Sequence, residues 1–201
     1  MKGVVPAFLL IASVAAMAKP PQRFLGPPVK KPADPGATTR PTVLKVGDQA
    51  PLFGGLLLDP DEAGMKRIDL SSLVGSAAAT PVQAVLISFF ATWCERCKGE
   101  LPLLQQLSTG DKDRRLRVIS VAIDQDESRW QAIKLLVAQN RLTFPIVRDP
   151  DNAIARQYLG PDLQLPAVFL VGKDGTFALV KQGYSDDATG FLRAEVEKAL
   201  R

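Results

Sequence analysis

The sequence predicts an α/β fold, with a central mixed β-sheet, helices on both faces and an N-terminal β-hairpin extension. Three observations carry this expectation. Residues 85–90 and 116–123 are nearly unbroken apolar runs, the pattern of strands covered on both faces. Between and after them, apolar residues recur at helical spacing. Near the C-terminal end, two short strand-like runs flank Gly172-Lys173-Asp174-Gly175, which has the chemistry of a hairpin turn.

Taken in order, Val46-Gly47-Asp48-Gln49-Ala50-Pro51 opens the folded part and residues 52–58 form a strand. Asp59-Pro60-Asp61-Glu62-Ala63-Gly64 makes a turn, and Lys66-Arg67-Ile68 returns as the hairpin mate. Residues 69–73 give a short helical turn, and residues 75–80 a loop of small side chains. After the strand at 85–90, Cys97, Leu101, Leu104 and Leu107 share a helical face, with Pro102 expected to kink that helix. Asp126 caps a second helix whose inner face is Trp130, Ile133, Leu136 and Val137. Residues 153–158 form another turn or two of helix. Strands follow at 168–171 and 177–180, and Ser185 caps a last helix burying Leu192, Val196 and Leu200. Phe89, Phe90, Phe169 and Phe177 belong to the core.

The N-terminus reads as an address. Lys2 precedes an uncharged, mostly apolar stretch ending in Ala16-Met17-Ala18, a small-x-small cleavage site, so residues 1–18 are expected to be a signal peptide. The alternative is an uncleaved membrane anchor, but the stretch is shorter than the ~20 residues a bilayer requires and contains Pro6. Residues 19–41 hold seven of the sixteen prolines and read as an extended, basic linker. Residues 42–201 are the size of one domain.

The net charge of +4 belongs to the ends. Lys2, and five basic linker residues against Asp34, leave 19 basic and 20 acidic residues from Thr42 onward. The folded part therefore has no cationic excess for nucleic acid. Only the linker could touch an anionic membrane surface, and weakly.

The chain has two cysteines, Cys94 and Cys97, and no histidine. The pair's one obvious partner is itself. A zinc site would need two further soft ligands, so no metal is expected. Asp124 and Asp126 read as loop and cap residues. As a structural staple, a four-residue loop contributes only about 2 kcal/mol. A reversible dithiol suits the spacing better. Cys94 at a helix N-terminus gains from unpaired N–H groups and the helix dipole, so it should attack, and Cys97 one turn later should resolve. Arg96 should favour the thiolate and make the disulfide a stronger oxidant, with Glu95 opposing it. Trp93 reads as a partly exposed lip beside Cys94.

Trp93-Cys94-Glu95-Arg96-Cys97, with Glu100-Leu101-Pro102, Phe144-Pro145-Ile146-Val147 and Leu165-Pro166-Ala167-Val168-Phe169-Leu170-Val171 following in order, resembles the TlpA/ResA branch of exported thiol-disulfide oxidoreductases in the thioredoxin-like superfamily. The resemblance runs from about Val46 to Arg201. It implies a thioredoxin-like three-layer fold and a redox-active Cys94–Cys97 disulfide that needs no bound cofactor. It points to Glu100 as proton acceptor for Cys97, and to Pro166 as a cis proline facing the cysteines, with the backbone at Leu165 pairing with a partner. It implies a periplasmic or otherwise exported chain acting as reductant. Its substrates would be cysteine pairs of other exported proteins, such as apocytochrome or metallochaperone thiols, and an upstream thiol-disulfide partner would reset it. Three departures stand out: Arg96 replaces the usual proline, Ala167-Val168 replace a threonine pair, and the loop at 75–83 is long. Ser88 occupies the position where thioredoxins often bury a carboxylate. Two alternatives remain open here: a peroxiredoxin-type peroxidase using Thr92 and Arg96, and a non-catalytic thioredoxin-like binding module.

Overall fold

The computed structural model describes residues 43–60, 64–183 and 188–201. The expected signal peptide, the linker and the Ser185 cap lie outside the described residues. The elements are β1 (Gly54–Leu56), β2 (Arg67–Asp69), a 3-10 turn (Leu70–Ser72), β3 (Ala84–Phe90), α1 (Glu95–Gly110), β4 (Leu116–Ala122), α2 (Arg129–Asn140), β5 (Ile146–Arg148), α3 (Ala153–Leu159), β6 (Ala167–Gly172), β7 (Phe177–Gln182) and α4 (Ala188–Ala199).

Five strands form the main sheet in the order β5-β4-β3-β6-β7. β3, β4 and β5 run parallel, while β6 is antiparallel to β3 and β7 to β6. The fold is thus mixed α/β, as the sequence predicts. All seven residues of β3 are buried, which the unbroken apolar run anticipates for a strand with both faces covered.

Register assigns the two faces. Ser88 stands opposite Val168, and Val168 opposite Lys181, so these three point to one side. Lys181 reaches Glu100 there, which places α1 on that side, and α4 packs on α1 and β7. Phe89 and Phe169 point to the other side, where their rings meet Tyr158 of α3 at centroid distances of 5.3 and 5.1 Å. Phe53 and Phe177 complete this cluster, each 5.9 Å from the Tyr158 ring.

The strand expected at 52–58 is divided. Three of its residues pair with β2 as the N-terminal hairpin. Leu57 then bridges Val147, and the Leu58 N–H donates to Ile146 O at 2.8 Å, so the run ends by closing the edge of β5. The inner face of α2 is also narrower than its spacing suggests: Trp130 and Ile133 are buried, whereas Leu136 and Val137 are only partly so. Helix α1 continues through Pro102, whose missing N–H leaves one backbone bond of the helix unmade. Asp126 is not the cap of α2: Ser128 directly precedes the helix, and the Asp126 carboxylate, two residues earlier, accepts the Ser128 N–H at 2.9 Å in the turn that leads into it. Among the described residues, no helix is long and apolar enough to cross a membrane.

Candidate active site

β3 and β4 end side by side, with Phe89 opposite Val121, and β6 begins beside them, with Ala167 opposite Phe89. Topology alone therefore brings three loops to one end of the sheet: residues 91–94, Ile123 and Asp124, and Leu165-Pro166. Parallel sheets commonly carry their chemistry at this carboxyl end.

The first loop delivers the cysteines. Cys94 has extended backbone and precedes the first turn of α1, and its N–H donates to Ala91 O at 3.0 Å. Cys94 and Cys97 form a disulfide with a Cα–Cα separation of 5.3 Å. The Cys94 Sγ also accepts the backbone N–H of Cys97 at 3.2 Å, acting as the cap of the helix. In the reduced protein that N–H and the helix dipole would stabilise a thiolate on Cys94. Cys94 is 9% exposed and Cys97 2%, so an incoming sulfur reaches Cys94 more readily. Trp93 is 61% exposed and stands beside it as an apolar lip. Glu95 and Arg96 both face solvent; Glu95 is held by Lys98 at 2.6 Å, a pairing that the motif alone did not suggest.

The second loop steadies the first. The buried Asp124 carboxylate accepts the Thr92 N–H at 2.9 Å through one oxygen and the Thr92 hydroxyl at 2.6 Å through the other. These bonds anchor the chain two residues before Cys94. By sequence Asp124 reads as an ordinary loop residue; the signal that singles it out is its place just past the end of a strand parallel to β3.

In the third loop the Leu165–Pro166 peptide is cis, Pro166 is buried and Leu165 half-buried. The Gly183 N–H donates to Pro166 O at 2.9 Å and ties this loop to the end of β7.

Glu100 lies one helical turn after Cys97. Its side chain is 12% exposed, and burial pushes its carboxyl above the usual carboxylate range, with the Lys181 ammonium partly offsetting this. Lys181, 15% exposed, lies 3.9 Å from Oε1, and Oε2 is buried with no hydrogen-bond partner. Nothing local in the sequence marks Lys181, because its closeness to Glu100 depends on cross-strand register. Among the described residues, no cluster of metal-ligating side chains occurs.

Residues 46–180 match the AhpC/TSA family. A thiol-disulfide oxidoreductase ResA of Bacillus cereus is 34% identical over 153 residues, covering 75% of this chain and 78% of the relative. ResA of Oceanobacillus iheyensis is 28% identical over 142 residues, covering 70% and 67%. A thiol:disulfide interchange protein of the thioredoxin family from Chlorobium tepidum TLS has the same fold, with a TM-score of 0.59 at 23% identity over 77% of this chain and 97% of that one. StoA from Bacillus subtilis superposes with a TM-score of 0.55 at 23% identity, covering 73% and 98%. The chain belongs to the AhpC/TSA family, with its thioredoxin-like fold, and is a thiol-disulfide oxidoreductase of the ResA type.

Proposed function

We propose that this protein is an exported reductant of cysteine pairs in other exported proteins, working through Cys94 and Cys97. The observation that carries the reading is the capped, more exposed Cys94 at the start of α1, joined to a buried Cys97 one turn on. The Cys94 thiolate attacks a partner disulfide; the partner S–S bond breaks, its second sulfur leaves as a thiolate, and a mixed disulfide forms. Glu100 takes the proton of Cys97, whose sulfur then attacks Cys94 Sγ. The bond from Cys94 to the partner breaks and the partner's remaining sulfur departs with the electron pair. Two electrons pass to the partner, whose two thiolates take their protons from water, Glu100 holds the proton of Cys97, and the Cys94–Cys97 disulfide is the product. An upstream dithiol must then reset it. No bound cofactor or metal is needed in this scheme.

Trp93 offers the partner an apolar surface, and the Leu165 backbone offers it hydrogen bonds beside Pro166. Residues 1–18 act as leader and residues 19–41 as tether, whose basic side chains brush an anionic membrane surface. An uncleaved leader would serve as an anchor instead. The peroxidase alternative needs a threonine hydroxyl at the cysteine, and that of Thr92 is committed to Asp124.

The reaction is tested by mixing reduced protein with a peptide disulfide. Wild type should reduce about one disulfide per chain by the thiol-exchange stoichiometry. Cys94→Ser should be inert, and Cys97→Ser should accumulate the covalent adduct, seen by mass spectrometry. Turnover by Cys94→Ser would overturn the assignment. Export is checked by sequencing the N-terminus of the protein from its natural compartment, which should begin at Lys19.

A further inference from the structure

We propose that Lys181 is a positioning residue for the redox reaction: its ammonium holds the Glu100 carboxylate ionised against α1, ready to receive the proton of Cys97. The inference rests on the reading of Glu100 given under the proposed function. Three features support it. Lys181 is directed by register to the α1 side of the sheet, in one cross-strand row with Val168 and Ser88. It is largely buried with Glu100, two opposite charges withdrawn from water together. At 3.9 Å the Nζ to Oε1 distance is too long for a direct hydrogen bond, so Lys181 acts by charge and leaves the carboxylate oxygens available. The buried Oε2, with no hydrogen-bond partner, is an open acceptor.

Among the described residues, the other elements around Glu100 bring little competing charge. β3 and β6 contain no charged residue. β4 turns Ser120 to this side, and its one charged residue, Arg117, stands opposite Val85 on the other side. On α4, Arg193 bonds Gln106 at 2.9 Å and Lys198 pairs with Glu195 at 3.7 Å. On α1, Lys98 is held by Glu95, and Arg96 lies one turn before Glu100 with its side chain exposed. Burial alone would keep Glu100 protonated to a higher pH, in the form that cannot accept a proton; Lys181 works against this.

In the resolving step the Cys97 S–H bond breaks, its proton goes to Glu100, and the Cys97–Cys94 bond forms as the bond from Cys94 to the partner breaks. The partner sulfur leaves with the electron pair and is protonated from water. The step should therefore lose rate on the acid side, as Glu100 becomes protonated.

The experiment follows this step by stopped flow on the full chain, with a peptide disulfide as partner, from acid to neutral pH. Wild type, Lys181→Met, Lys181→Arg, Glu100→Gln and the Lys181→Met/Glu100→Gln double variant are compared. Lys181→Gln serves if the methionine variant does not fold. Lys181→Met should move the acid limb up by about one pH unit, slowing the step about tenfold on that limb. Lys181→Arg should restore the wild-type profile, Glu100→Gln should remove the limb, and the double variant should match Glu100→Gln. If Glu100→Gln removes the limb while Lys181→Met leaves it in place, or slows the step equally at every pH, the role of Lys181 is overturned and that of Glu100 stands. A limb that survives in Glu100→Gln overturns the Glu100 reading and this inference with it.

Discussion

Arg96 stands where the sequence resemblance leads one to expect proline, and its charge lies in the turn that carries both sulfurs. A cation there favours thiolate over disulfide, which makes the disulfide easier to reduce. Glu95, which the motif suggests as the opposing charge, is instead paired with Lys98 at 2.6 Å, so less of its charge remains to counter Arg96. Arg96→Pro should therefore have a more negative reduction potential than wild type; an unchanged or less negative value would contradict this. The two cysteines were legible because a helix N-terminus and a one-turn spacing are local in sequence. The Thr92–Asp124 clamp and the Glu100–Lys181 pair were not, since their members lie 32 and 81 positions apart and meet only through sheet register. Glu100 itself was reached by resemblance, and nothing in its immediate neighbours marks it as buried.

Elements with strong periodicity were read closely. β3 was expected at 85–90 and spans Ala84–Phe90, and β4 was expected at 116–123 and spans Leu116–Ala122. β5 escaped notice because three residues at an edge show no alternation; it exists because β4 offers one ladder and Leu57 and Leu58 close the other. α3 was expected at 153–158, but the importance of Tyr158 was not. Its ring packs on four phenylalanines and its hydroxyl donates to Pro51 O at 2.7 Å, tying α3 to the start of the domain. Tyr158→Phe should cost about 1 kcal/mol for the lost hydrogen bond. Tyr158→Ala should cost about 3–5 kcal/mol for the lost packing. Urea unfolding measures both, and a Phe variant as stable as wild type would show that the hydroxyl bond does not hold the start of the domain to α3.

Across the molecule, the sheet assembles the site by bringing the cysteine turn, Asp124 and Leu165-Pro166 to one end. The α1 side of the sheet adds the buried Glu100–Lys181 pair. Thiol-disulfide exchange follows from this assembly, and the family relationships agree. The direction of electron flow is the central claim of the proposed function. Its most direct test is the reduction potential of Cys94–Cys97, measured by equilibrating the protein in thiol redox buffers. A reductant of exported disulfides requires a value near or below about −250 mV, close to thioredoxin, and this is the expected result. A value of about −120 to −180 mV, in the range of proteins that form or rearrange disulfides, would contradict it.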